Sequence, residues 1–93
     1  MHIAEHDTDN KRFLIQDEGG IAAVMTYVIS NPELYIIDHT FVENAYRGQG
    51  LGDKLIQAMV EYARENGIKI LPLCPFAKGR FERISEYADV LHK

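Results

Sequence analysis

Three alternating glycines in Tyr46-Arg47-Gly48-Gln49-Gly50-Leu51-Gly52 lead directly into a strongly amphipathic segment, and this junction restricts the possible folds more than any other feature. Glycine tolerates positive φ and carries no side chain, so successive backbone N–H groups can converge on an anion at the start of a helix. Arg47 adds a fork-shaped cationic donor. A nucleoside-triphosphate loop wants Gly-Lys followed by Ser or Thr, whereas here Gly52 precedes Asp53 and Lys54 precedes Leu55. A dinucleotide turn would follow the first strand of a parallel sheet, and too little chain remains for its second half. The turn is therefore a candidate phosphate site of another kind, with close helix packing as the alternative reason for its glycines.

The periodicity changes across this turn. Residues 12–16 and 21–29 read as strands joined through Asp17-Glu18-Gly19-Gly20, and 34–42 as a third strand after Ser30-Asn31-Pro32-Glu33. The apolar run Leu34-Tyr35-Ile36-Ile37 suits a strand covered on both faces. From 50 to 66 the spacing is helical, with Leu51, Leu55, Met59, Tyr62 and Ala63 on one stripe and Asp53, Gln57, Glu61 and Arg64 opposite. Asn66-Gly67 supplies the stop. Residues 68–71 then form a short strand, and the crossover makes it parallel to the strand ending at Val42. Pro72 and Pro75 cannot donate ladder hydrogen bonds, so this strand is expected to leave its neighbour after Leu71 and open a gap. Residues 76–93 are expected to be partly helical, broken near Ser85, with Phe81, Ile84, Tyr87 and Leu91 as apolar contacts. The expected fold is mixed α/β: an antiparallel meander continued by one parallel strand after a crossover helix, in a single domain over residues 1–93.

Composition narrows the function classes. With a net charge of -4 and no lysine-arginine block, a nucleic-acid groove lacks its electrostatic footprint. No apolar run approaches the roughly 20 residues that span a bilayer, and an N-terminus with His2, Glu5 and Asp7 does not resemble a leader, so no membrane association and a cytoplasmic location are expected. The single cysteine, Cys74, excludes an internal disulfide or a multi-cysteine zinc site. His2, His6 and His92 show no metal-binding spacing, and no metal is expected.

An apolar strand, the short link Glu43-Asn44-Ala45, the glycine turn and Leu55 follow one another in an order that resembles the GNAT superfamily of N-acetyltransferases. Its signature is Arg or Gln, two residues, Gly, one residue, then Gly or Ala; Arg47, Gly50 and Gly52 fill these places, and Gly48 matches a frequent Arg-Gly start. With His39-Thr40 and Leu73-Cys74-Pro75-Phe76, the chain is similar to a subfamily of small single-domain acetyltransferase-like proteins. The resemblance implies that acetyl-CoA is the cosubstrate. Backbone amides of Arg47, Gly48, Gln49, Gly50, Leu51 and Gly52 would hold its pyrophosphate, and the Phe41-Val42 backbone would pair with the pantetheine arm like an added strand. The Val42 N–H would polarise the thioester carbonyl, an interaction whose loss costs about 3 kcal/mol in comparable sites. Splayed parallel strands accommodate such a ligand, because they expose unpaired backbone groups.

Two side chains stand as candidate catalytic groups. Cys74 lies at the mouth of the expected gap, where a thiolate can attack an acetyl thioester, although a lone cysteine also serves as a small buried hydrophobe. His39 is a candidate base for Cys74 or for an incoming amine, or else a structural histidine in a strand. The preferred reading is an acyltransferase moving acetyl to an unidentified amine. The alternative is a non-catalytic acetyl-CoA binding or sensing module acting through a partner protein, motivated by the short stretch after the last strand, which lacks the family's usual tyrosine acid and part of its acceptor pocket. Tyr87 is the only late tyrosine, and it reads as a packing aromatic.

Overall fold

The computed structural model describes residues 3–92; the expectations that touch His2 and Lys93 lie outside the described residues. Strands β1 (Glu5–Asp7), β2 (Arg12–Asp17), β3 (Gly20–Asn31), β4 (Leu34–Val42) and β5 (Lys69–Pro72) form one sheet in chain order. The pairings from β1 to β4 are antiparallel, and β4–β5 is parallel. The parallel step is made by a crossover helix, α1 (Leu51–Asn66), reached through a 3₁₀ turn at Asn44–Tyr46. After β5 come α2 (Pro75–Arg83) and a second 3₁₀ segment, Ser85–Val90, so the terminal region breaks near Ser85 as its sequence indicates.

The core lies between one face of the sheet and the helices. Phe13, Ile15, Met25 and Ile37 face inward from the strands and meet Leu51, Leu55, Ile56, Met59, Val60 and Ala63 of α1. Ile56 and Val60 widen the expected stripe, while Tyr62 is only half-buried. The wider arc follows from α1 packing against both the sheet and the terminal 3₁₀ segment. Arg64 on α1 clamps that segment, donating to both carboxylate oxygens of Asp89, at 2.7 and 2.9 Å, and to the Glu86 carbonyl.

Strand β1 is an addition to the expected meander. Its residues carry little strand signal, and it is held by tertiary contacts: the His6 ring stacks on Phe13 with centroids 4.1 Å apart, and its Nε2 lies 2.6 Å from the Tyr27 hydroxyl oxygen. The reading of β4 as covered on both faces is corrected. Of its residues only Ile37 is buried, because the helices pack on one side of the sheet. Ile36 pairs with Val28 on the outer face, where Val28 remains 48% exposed. The apolar run in β4 thus reflects lateral contact across an uncovered face rather than a second layer.

Strand β5 leaves β4 one residue later than expected. Pro72 is the last paired residue, opposite Ile37, and the amides of Leu73 and Cys74 both reach the Ile37 carbonyl, at 3.0 and 3.2 Å. Among the described residues, β4 has no strand partner on that side from Asp38 onward, which leaves the expected gap. The far edge of β5 is covered at Ile70, which bridges Leu91 and accepts a hydrogen bond from the His92 amide at 2.9 Å.

Candidate functional site

The gap owes its chemistry to a bulge. Thr26 pairs with His39 and Tyr27 with Ile37, leaving Asp38 as an extra residue in β4, where its carboxylate accepts a 2.6 Å hydrogen bond from the Thr26 hydroxyl. An extra residue reverses the alternation of side chains and of backbone hydrogen-bonding groups beyond it. Past the bulge, Thr40 pairs with Met25 and Val42 with Ala23 on the helix-facing side, whereas His39 and Phe41 pair with Thr26 and Val24 on the outer face.

The backbone follows the same parity. The Glu43 amide donates to the Ala22 carbonyl at 2.9 Å, so Glu43 and, two residues back, Phe41 direct their backbone groups at β3. Those of Thr40 and Val42 point the other way, into the space vacated by β5. The expectation for Phe41 is therefore corrected: its backbone is used within the sheet, and Thr40 shares the open edge with Val42. The sequence gives no sign of the bulge that makes this exchange.

Across the gap stands the glycine turn. Gly48 and Gly50 have φ of 84° and 74°, the left-handed region that favours glycine, and Gly50 is the N-cap of α1. The Arg47 amide closes the 3₁₀ turn onto the Asn44 carbonyl at 3.3 Å and is thereby removed from the expected cradle. Among the described residues, no protein group accepts a hydrogen bond from the amides of Gly48, Gln49, Gly50, Leu51 or Gly52. The first N–H groups of a helix have no acceptor of their own, and with the helix dipole they favour an anion. They can therefore receive phosphoryl oxygens.

Between the open edge and the turn lies a cavity of about 360 Å³. Val42, Arg47, Gly50, Leu51 and Gly52 line it, as the sequence suggested, and Thr40, Asp53, Phe76 and Arg80 complete the wall. Gly48 and Gln49 are exposed in the turn beside it. The last four wall residues were missed as a group. Thr40 and Phe76 do fall within the motifs His39-Thr40 and Leu73-Cys74-Pro75-Phe76, and the i, i+4 spacing of Phe76 and Arg80 on α2 puts those two on one helix face. Gly52 has a steric reason to be glycine, since Phe76 packs directly onto it.

Cys74 is buried at the N-cap of α2, with Sγ 3.4 Å from the Thr40 hydroxyl oxygen. It therefore adjoins the cavity through Thr40. His39 is exposed on the opposite face of the sheet, so the pairing of His39 with Cys74 as base and nucleophile is corrected: the sheet lies between them. Tyr87 packs on Phe81, with ring centroids 5.4 Å apart, and burial pushes its hydroxyl pKa up. Among the described residues, no three His, Cys, Asp or Glu side chains are grouped to hold a metal ion, and no helix is long and apolar enough to cross a membrane.

Residues 12–90 match the family model of the GCN5-related N-acetyltransferases. The chain is 30% identical over 71 residues to Protein NATD1 of Gallus gallus and of Mus musculus, matching 75% of this chain and 64% of theirs. It thus spans less than two thirds of the length of these relatives. The solution structure of a GCN5-like candidate N-acetyltransferase from Staphylococcus aureus superposes with a TM-score of 0.79 at 39% identity, over 96% of this chain and 86% of that one. The N-acetylglutamate synthase of Neisseria gonorrhoeae, complexed with coenzyme A and N-acetyl-glutamate, shares the fold over 88% of this chain and 21% of its own, at 13% identity and a TM-score of 0.63. The split sheet, the glycine turn and the match over residues 12–90 have one meaning: this chain belongs to the GCN5-related N-acetyltransferase family.

Proposed function

We propose that this protein is a cytoplasmic acyltransferase that moves acetyl from acetyl-CoA to an amine. The observation that carries the reading is that two sets of backbone donors, with no protein acceptor among the described residues, meet at one cavity: the β4 edge at Thr40 and Val42, and the amides of residues 48–52 at the start of α1. Their placement along one cavity suits an elongated ligand with an amide-containing arm and a diphosphate. Acetyl-CoA supplies an activated thioester. In this reading Thr40 and Val42 align the arm as an added strand. The Val42 N–H donates to the acetyl carbonyl oxygen as negative charge grows there, and Arg47 with the glycine-turn amides anchors the phosphates.

Two routes deliver the acetyl group. In the direct route the neutral acceptor amine attacks the carbonyl, the bond from carbonyl carbon to coenzyme sulfur breaks, and the amine's proton passes to solvent or to the leaving thiolate. In the two-step route the Cys74 thiolate attacks first, expelling the coenzyme thiolate; the neutral amine then attacks the acetyl-cysteine carbonyl, the bond to the Cys74 sulfur breaks, and the amine's proton passes to solvent or to the Cys74 thiolate. The position of Cys74 beside Thr40 supports including this route. His39, facing away, is assigned at most to an acceptor approaching from the outer face.

Calorimetric titration with acetyl-CoA, followed by intact-protein mass spectrometry, tests the whole reading. A saturable heat signal is expected; its absence would end the proposal. One added acetyl group in the wild type that is missing from Cys74→Ala supports the two-step route, and unchanged transfer to an amine by Cys74→Ala rules that route out. Binding without turnover over a broad amine panel would favour the sensing module acting through a partner protein.

A further inference from the structure

The Arg80 guanidinium is held on two sides without being used up. Its Nε donates to Asp53 Oδ1 at 2.6 Å, and its Cζ stands 4.6 Å from the centre of the Phe76 ring. Phe76 is in turn seated on Gly52, and all four residues line the same cavity. Arginine carries five N–H donors. Among the described residues only the Nε bond is satisfied by protein, so the two terminal nitrogens remain without an acceptor although the side chain is only 30% exposed.

Asp53 makes the arrangement informative. It occupies the first turn of α1, beside the amides assigned to the phosphates, where an uncompensated carboxylate would repel them. Bonded to Arg80, it is neutralised, and its remaining effect is to orient the guanidinium. The Phe76 ring beneath Cζ and the Asp53 bond at Nε together restrain the guanidinium, so less side-chain entropy is left to lose when an anion binds. A simple tie between α1 and α2 would need the Asp53 bond but gives no reason for Arg80 to line the cavity with terminal nitrogens that have no protein acceptor among the described residues.

We propose that Arg80, positioned by Asp53 and Phe76, is a second cationic arm that contacts the coenzyme diphosphate together with Arg47 and the glycine-turn amides. The assignment rests on the acetyl-CoA reading above and extends it to a residue on α2. It identifies the ligand chemistry as a phosphoryl oxygen within reach of both helices.

Calorimetric titrations of the wild type, Arg80→Gln and Arg80→Lys with coenzyme A, dephospho-coenzyme A and acetyl-pantetheine test it. Arg80→Gln is expected to weaken both phosphorylated ligands by about tenfold or more, the scale of a charge-assisted hydrogen bond, to flatten their salt dependence, and to leave acetyl-pantetheine unchanged. Arg80→Lys, which keeps the charge but loses the stacked fork, is expected to fall in between, and it carries the test if the glutamine variant does not fold. Equal losses for all three ligands, or no loss, overturn the proposal in favour of a tie between the helices. A loss confined to coenzyme A moves the contact to the 3′-phosphate and overturns the diphosphate assignment. Failure of the wild type to bind coenzyme A rejects the acetyl-CoA reading itself, a result distinct from failure at Arg80 alone.

Discussion

The Phe76 ring lies so close to Gly52 that a Cβ built on the glycine would stand 2.6 Å from Cζ and 2.8 Å from Cε2. Gly52 is helical and needs no unusual φ, so its lack of a side chain serves packing between α1 and α2. Gly52→Ala is expected to displace the ring and cost about 1–3 kcal/mol, as overpacked cores do. Urea denaturation measures this. Adding Phe76→Leu should return part of the loss, and strict additivity of the two changes would show that the contact is not its cause.

Gly50 and Gly67 bracket α1 with nearly the same left-handed backbone, φ of 74° and 66°. Replacing either by alanine is expected to cost about 1–2 kcal/mol for the left-handed conformation. Only Gly50 borders the cavity. Gly50→Ala should therefore weaken acetyl-CoA binding as well, while Gly67→Ala should lower the melting temperature by a comparable amount with binding intact. Equal binding by the two variants would separate the turn from the ligand site.

Val42→Pro removes one N–H that the sheet does not use. Glu43, not Val42, donates to β3 at this point, and proline is tolerated where a strand edge is open. Circular dichroism should show a folded protein, and acetyl transfer should fall by about 100-fold to 1,000-fold, the loss seen when an oxyanion donor is removed. Transfer at the wild-type rate would dismiss the Val42 N–H as a participant.

Acid should loosen the β1 end of the sheet through His6. Burial against Phe13 and Tyr62 lowers its pKa from 6.5, against a smaller opposing effect of Asp7. A histidine with a depressed folded pKa binds protons more readily when unfolded. Its contribution to stability is thus complete above about pH 6.5 and declines as pH falls through the window below that value. Melting temperatures recorded between pH 8 and 5 should fall less steeply for His6→Phe, which keeps a ring on Phe13 but cannot be protonated. Parallel curves would assign the acid sensitivity elsewhere.

Local chemistry made much of this molecule legible in advance. The helical stripe from Leu51 to Ala63, the stop at Gly67 and the prolines at 72 and 75 each act within a few residues, so periodicity and backbone restriction reveal α1, β5 and the gap. Strand β1 was hidden because Glu5-His6-Asp7 has little strand propensity of its own and is held by pairing with β2 and by the His6 contacts to Phe13 and to the distant Tyr27. The outer face of β4 was misjudged for a related reason: an apolar run does not say whether a layer or only the neighbouring strand will cover it.

The sequence by itself determined that an anion-competent glycine turn opens α1, and that a proline-limited parallel strand leaves the β4 edge exposed, because glycine and proline impose these features locally. Only the tertiary structure decided what faces the cavity. A single bulge at Asp38 sends Thr40 and Val42 inward and His39 and Phe41 outward. The packing of α2 onto α1 brings Phe76 and Arg80 to Gly52 and Asp53. A bulge depends on the register with a neighbouring strand and a helix–helix contact on the whole core, and neither is written in the residues of one segment.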